Sequence, residues 1–97
     1  MLTIHDALSY CIDRIGRVDL STIAALAKST REEVLASLSG TIYFDPERGE
    51  FVAADEYLSG NIMTKLKAVR HAIDDGMDVP DGVDLADNVV ALTTVMP

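Results

Sequence analysis

The sequence contains no tryptophan, three prolines and a single cysteine, and aromatic residues make up just 5% of it. A lone cysteine, Cys11, excludes an internal disulfide, and its neighbours Tyr10 and Ile12 favour a small buried side chain. Because aromatic residues are scarce, a hydrophobic core has to be mainly aliphatic. Hydrophobic residues account for 48% of the chain, which is enough for one folded domain over residues 1–97.

Positive charge is also scarce. The chain has 8 Lys and Arg against 16 Asp and Glu, which gives a formal net charge of −8, and every Lys and Arg lies at or before Arg70. Broad, sequence-independent DNA binding needs many cations to displace counterions from phosphates. The acidic balance argues against such binding, although it leaves room for a local basic surface.

Long apolar runs are absent as well. No stretch approaches the length of a membrane span, and Asp6 interrupts the N-terminal segment where a signal peptide needs a continuous apolar run. We therefore expect a cytoplasmic location and no contact with membranes.

The residue types that enzymes use are present, but their spacing does not form a catalytic site. One cysteine and two distant histidines, His5 and His71, do not supply a metal site. Ser59 has no neighbouring base that could activate it, and the six glycines are too scattered for a phosphate-binding loop. We expect no catalytic residue, no metal ion and no cofactor in this chain.

Apolar periodicity predicts three helices in the N-terminal part of the chain. Thr3 is the expected N-cap of the first helix and Asp19 that of the second. The third starts with Ser29 or Thr30 as its cap, and either choice places a glutamate at the capping-box position. The residues expected on the buried faces are Ile4, Leu8, Cys11, Ile12, Ile15, Leu20, Ile23, Ala24, Ala27, Val34, Leu35 and Leu38.

A β-hairpin is predicted next, with strands over residues 41–44 and 50–53 and a turn over residues 45–49. Three helices followed by a hairpin is the order of a winged helix. The predicted fold is therefore mainly α with one β-hairpin (α+β), with a winged-helix-like unit over residues 1–53.

The run from Ile23 to Leu38 resembles a helix-turn-helix. It departs from that motif at Lys28, where the turn favours glycine, and at Glu32 and Glu33, which repel phosphates at the start of the recognition helix. Arg31 is the one residue there that favours phosphate. The motif therefore indicates a scaffold or a protein-docking surface more strongly than a reader of DNA.

A long interrupted helix is predicted over residues 54–76, and an acidic loop with a terminal helix over residues 77–97. Ser59-Gly60 interrupts the long helix and Asn61 caps its second part. Its expected C-cap is Gly76. The residues of its expected apolar stripe are Ile62, Leu66, Val69 and Ile73. Asp84 is the expected cap of the terminal helix, whose apolar face is Leu85, Val89, Leu92 and Val95.

The one basic cluster of the sequence lies on this long helix and consists of Lys65, Lys67, Arg70 and His71. Lys67, Arg70 and His71 share a helix face because they are three or four residues apart. Together with Arg31, these four residues are the candidate contacts for nucleic acid or for an acidic partner. The alternative is that the cluster is simply the solvated side of an amphipathic helix.

The segments 42–51, 54–62 and 65–66 are similar to a signature segment of very large DNA methyltransferase–helicase proteins of phages, plasmids and integrative elements, some of them associated with anti-restriction. Segments 16–20 and 88–97 also fit this resemblance. The most specific part is the motif Asp55, Glu56, Tyr57, Leu58, Ser59, Gly60 and Asn61.

In that family the segment lies between an adenine-methyltransferase-like region and a helicase-like ATPase region. The resemblance implies a non-catalytic connector or interaction module of a larger protein, whose partners are the flanking domains and, in addition, DNA. Such a connector is expected to expose apolar residues near Leu92, Val95 and Met96. The alternative is a free-standing acidic winged-helix regulator that acts by protein–protein contact. Both interpretations leave the oligomeric state open.

Overall fold

A computed structural model describes residues 2–96; Met1 and Pro97, the ends of the expected single domain, lie outside the described residues. This part of the chain forms six helices and one antiparallel hairpin. The helices are α1 (Ile4–Ile15), α2 (Leu20–Ala27), α3 (Arg31–Ser37), α4 (Ala54–Tyr57), α5 (Ile62–Asp74) and α6 (Leu85–Val95), and the strands are β1 (Ile42–Asp45) and β2 (Glu50–Ala53). The predicted fold, mainly α with one hairpin in winged-helix order, is confirmed. No helix within residues 2–96 combines the length and the hydropathy needed to cross a bilayer.

Helices α1, α2 and α3 pack around a first hydrophobic core, which also includes the start of β1. Cys11 has no exposed surface and lies in this core, so its predicted burial is confirmed. The prediction is wrong for Ile12 and Ile15, which are 38% and 44% exposed. Both belong to the last turn of α1, whereas its core-facing side is centred on Cys11 and Ala7.

Local hydrogen bonds determine where the first three helices begin. The side chains of Thr3 and Asp19 each accept a backbone N–H three residues further on. Thr30, not Ser29, caps α3, because Thr30 and Glu33 form a reciprocal capping box. The two hydrogen bonds from Thr30 lower the pKa of the Glu33 carboxyl, since they favour its charged form.

The hairpin pairs Ile42 with Ala53 and continues to Asp45, so β1 begins one residue later than predicted. Asp45 is only 6% exposed, and its carboxylate accepts the backbone N–H groups of Glu47 and Arg48 at 2.9 and 3.4 Å. These bonds hold the turn and satisfy a buried charge.

The predicted interruption of the long helix is confirmed. Helix α4 ends at Tyr57 and α5 begins at Ile62. Between them Gly60 has a φ of 76°, a left-handed conformation that glycine adopts without strain. Asn61 then caps α5 by accepting the N–H of Thr64 at 3.1 Å.

The later helix ends match the sequence prediction closely. Helix α5 ends at Asp74 with Asp75 as its C-cap, so Gly76 follows the cap and is not the cap itself. Asp84 caps α6 by accepting the N–H of Ala86 at 2.9 Å, as predicted.

A second core lies between α5, α6, α4 and the hairpin, and Phe51 packs against both cores. The prediction that Ile73 and Val95 face this core is wrong, because they are 45% and 44% exposed. Each lies in the last turn of its helix, and Ala72 is buried on α5 instead of Ile73. Of the three residues near which a connector is expected to expose apolar surface, Val95 is exposed and Met96 is partly buried, whereas Leu92 has no exposed surface.

Candidate interaction surfaces

The turn of the helix-turn-helix contains Lys28, whose φ is 51°. Among residues 2–96 it is the one non-glycine residue with a positive φ. A left-handed backbone brings the Cβ of an L-residue close to the following carbonyl oxygen, which costs about 1–2 kcal/mol. Lys28 therefore forms the turn that the motif requires, but with strain that glycine would avoid.

One side of α3 is covered by the chain's own C-terminal segment. Arg31 donates a hydrogen bond through Nη1 to the carbonyl oxygen of Asp81. One turn further along α3, Leu35 lies against Gly82, where an added Cβ would be 3.0 Å from Leu35 Cδ1. In a helix-turn-helix the start of this helix enters the major groove. Here one N–H of its single arginine is already hydrogen-bonded to another part of the chain.

The β1–β2 hairpin, which corresponds to the wing of a winged helix, also has an arginine that is paired within the chain. Its arginine, Arg48, lies with Nη2 2.9 Å from Glu50 Oε1 and with Nη1 3.4 Å from Glu56 Oε2. The Arg48 side chain is 51% exposed, so these pairs add little stability. They nevertheless balance the positive charge that a phosphate-binding wing would present.

The basic face of α5 consists of Lys67, Arg70 and His71, all exposed. None of the three takes part in an ion pair within the described residues. The structure thus brings together three of the five residues predicted as contacts and places Arg31 and Lys65 elsewhere. Asp74, one turn beyond Arg70, limits the extent of this positive surface.

Lys65 points back to the preceding helix. Its Nζ donates to the carbonyl oxygens of Ser59, Tyr57 and Glu56 at 2.7, 2.8 and 3.2 Å. The Glu56 and Tyr57 carbonyls belong to the end of α4, where helix carbonyls run out of partners within the helix, and the Ser59 carbonyl lies just beyond it. The ammonium also lies 5.5 Å from the centroid of the Tyr57 ring. The interactions of Lys65 hold the corner between α4 and α5.

The motif Asp55–Asn61 forms that corner. Tyr57, 1% exposed, stacks on Tyr43 with ring centroids 5.6 Å apart, and Leu58 packs partly buried against the second core. Asp55 and Glu56 stay exposed. Burial raises the pKa of the Tyr57 hydroxyl, and a hydrogen bond from Asn88 partly offsets this effect.

Asn88 is a residue that the sequence prediction missed. It is 2% exposed, and its Nδ2 donates to the carbonyl oxygen of Phe44 at 2.7 Å and to the hydroxyl of Tyr57 at 3.2 Å. It therefore joins α6 to β1 and α4. The signal was its spacing, because Asn88 stands three residues after Leu85 and four before Leu92 on the buried stripe of α6.

Groups that could react are dispersed in this structure. Within residues 2–96, no cluster of three or more His, Cys, Asp or Glu could hold a metal ion. His5 and His71 are exposed, and the Ser59 hydroxyl donates to the carbonyl oxygen of Glu56 at 2.8 Å.

Residues 1–54 match the family model described as "Probable helicase, winged helix domain". The matched stretch runs through α1, α2, α3 and the hairpin and covers more than half of the 97 residues. No curated protein and no solved structure matches the chain.

Proposed function

Because this chain belongs to the family of probable helicase winged-helix domains, we propose that it is a non-catalytic connector and interaction module of a large DNA-processing protein. It carries no cofactor of its own and acts in the cytoplasm. The resemblance of the Asp55–Asn61 motif points to a more specific identity for that larger protein, namely a DNA methyltransferase–helicase of a phage, plasmid or integrative element. The flanking domains of that parent are its partners.

This proposal rests on the arginines of α3 and of the hairpin, the two elements that contact DNA in a winged helix. Both arginines interact with other groups of the same chain. Arg31 is hydrogen-bonded to the Asp81 carbonyl, and Arg48 is paired with Glu50 and Glu56. One N–H of Arg31 is thereby occupied, and two carboxylates balance the charge of Arg48, so both arginines offer less to a phosphate than free side chains would. This arrangement favours docking against protein over reading of bases by α3.

DNA contact, where it occurs, is then assigned to the basic face of α5. Lys67, Arg70 and His71 are exposed there, and Lys65 supports the corner from which α5 starts. A contact of this kind positions a module on phosphates but carries no sequence information. The module therefore assists the DNA binding of its parent and does not choose the sequence.

The proposal is tested by the size of the endogenous product. An antibody raised against this chain should detect, in the source cells, a band far above the 10.5 kDa of the chain. A band near 10.5 kDa would overturn the connector role.

A free-standing acidic winged-helix regulator is the second candidate. It is favoured by one observation: α3, the helix that would read DNA, is partly covered by Asp81 and Gly82 of the same chain. Such a regulator would act by protein–protein contact, because α3 is partly covered and the net charge is −8.

A further inference from the structure

A groove runs between α3 and α6, with β1 and Phe51 at its base. Its volume is about 360 Å³. Leu35 forms part of the α3 side, Ala91 and Asp87 belong to the α6 side, and Tyr43 contributes to the base. The groove includes none of the residues of the basic α5 face, so it is a separate surface.

The groove presents apolar side chains to solvent. Val90, on its α6 side, is 67% exposed, the highest value among the exposed large hydrophobic side chains of the described residues. Leu35 and Tyr43 are partly buried, so they retain surface that a partner can cover. Burying such surface is the usual driving force for association. None of the described lining residues is Cys, His, Lys or Arg, so the groove suits an apolar anchor better than a chemical reaction.

The charge of the groove has one sign. Asp84 and Asp87 are its charged lining residues, and both are exposed. An adjoining cleft is lined by Glu32 and Asp81 and also by Arg31, which is hydrogen-bonded to the Asp81 carbonyl. Carboxylates at these positions repel phosphates and attract Lys or Arg. The complementary partner is therefore cationic protein and not nucleic acid.

We propose that this groove is a docking site for a basic amphipathic segment of a neighbouring protein domain. An apolar side chain of that segment enters between Leu35 and Ala91 and covers Val90. Lys or Arg residues beside it meet Asp84 and Asp87. This mode resembles the general docking of an amphipathic helix in a groove. The inference rests on the proposed docking role for the identity of the partner as a flanking domain, and it adds the chemistry of the contact.

The test uses a phage-displayed library of random peptides with the complete chain as bait. Enriched peptides should carry an apolar residue flanked by Lys or Arg. A synthetic copy of one enriched peptide should shift amide NMR signals of α3, β1 and α6 in the unaltered chain and leave those of the α5 basic face unchanged. Its binding should weaken as salt is added, because the rim contacts are exposed charges.

Two variants locate the site. Ala91→Arg places a long cation inside the groove and should weaken peptide binding by about tenfold or more. Asp87→Lys should weaken it by about fivefold or more, because a rim attraction becomes a repulsion. Asp75→Lys changes the charge equally at the end of α5, away from the groove, and should alter binding by less than about twofold. Circular dichroism of each variant verifies its fold.

The inference is overturned if no peptide is enriched, if the enriched peptides lack basic residues, or if the shifts map to α5. It is also overturned if sedimentation shows that the chain self-associates through an Ala91-sensitive contact, because the occupant is then a second copy. If the endogenous product is near 10.5 kDa but peptide binding still depends on the groove, the connector role fails and the docking site stands. Failure of the proposed function is therefore distinguishable from failure of this inference.

Discussion

The side-chain amide of Asn88 donates a hydrogen bond to the hydroxyl of Tyr57, 3.2 Å away, in the interior between α6 and α4. The same nitrogen donates to the carbonyl oxygen of Phe44. One polar side chain from the acidic C-terminal region therefore joins the hairpin to the corner formed by the Asp55–Asn61 motif. The Tyr57 hydroxyl, which a phenylalanine would lack, is thus the acceptor in a buried hydrogen bond.

Replacing Asn88 by leucine should lower the free energy of unfolding by about 2–3 kcal/mol, because two buried acceptors lose their donor. Urea denaturation followed by circular dichroism measures the change. Thr93→Ala, at an exposed position of the same helix, is the control and should stay within about 0.5 kcal/mol. Equal stability of the two variants would contradict the role of Asn88.

The two neighbouring lysines of α5 should behave differently. Lys65→Met removes an ammonium that donates to three carbonyl oxygens and should destabilise the chain by about 1–2 kcal/mol, although the Glu56 carbonyl keeps its hydrogen bond from Ser59. Lys67→Met removes the same charge at an exposed position and should change stability by less than about 0.5 kcal/mol. Similar losses in both would show that Lys65 is only a surface charge.

Alkaline pH should destabilise the chain through Tyr57. Its pKa is raised in the folded state, so above about pH 10 the unfolded chain loses the proton first. The unfolded state then binds fewer protons, and the free energy of unfolding falls as pH rises through the folded-state pKa. Tyr57→Phe should reduce this alkaline loss. Thermal unfolding at several alkaline pH values measures it, and an unchanged pH dependence in the variant would refute the assignment.

The strained turn at Lys28 offers a stabilising substitution. Lys28→Gly should raise the free energy of unfolding by up to about 1 kcal/mol, since glycine adopts a φ near 51° without steric cost. Lys28→Val should lower it, because β-branched residues tolerate this region poorly. Melting temperatures in the reverse order would show that the turn does not retain this conformation.

The affinity for duplex DNA at low salt, measured for variants, distinguishes the contribution of the basic face of α5 from that of α3. Lys67→Glu combined with Arg70→Glu should weaken binding and reduce the salt slope by about 2. Arg31→Ala should change both much less, because one N–H of Arg31 is bound to the Asp81 carbonyl and Glu32 and Glu33 lie beside it. Arg14→Glu combined with Arg17→Glu serves as the control. It changes the net charge by the same amount at exposed positions in and just after the last turn of α1. If the control weakens binding equally, the α5 face has no special role.

The winged-helix order and most helix starts could be predicted from the sequence alone. Thr30 with Glu33, Asn61 and Asp84 are caps whose partners lie within three residues. Because such bonds are local, neighbouring residues suffice to identify them. The failures for Ile12, Ile15, Ile73 and Val95 have a shared origin. Periodicity identifies an apolar stripe but not how far along the helix its packing partner extends.

The sequence by itself determined the elements, the acidic balance and the basic stripe of α5, since each depends on composition or on near neighbours. Only the tertiary structure decided which polar groups remain open for partners. Arg31 meets a carbonyl 50 residues away, and Asn88 meets one 44 residues away. Such pairings depend on how α6 and its preceding loop pack against the hairpin and α3. The groove between α3 and α6 has the same origin, because neither helix forms it alone.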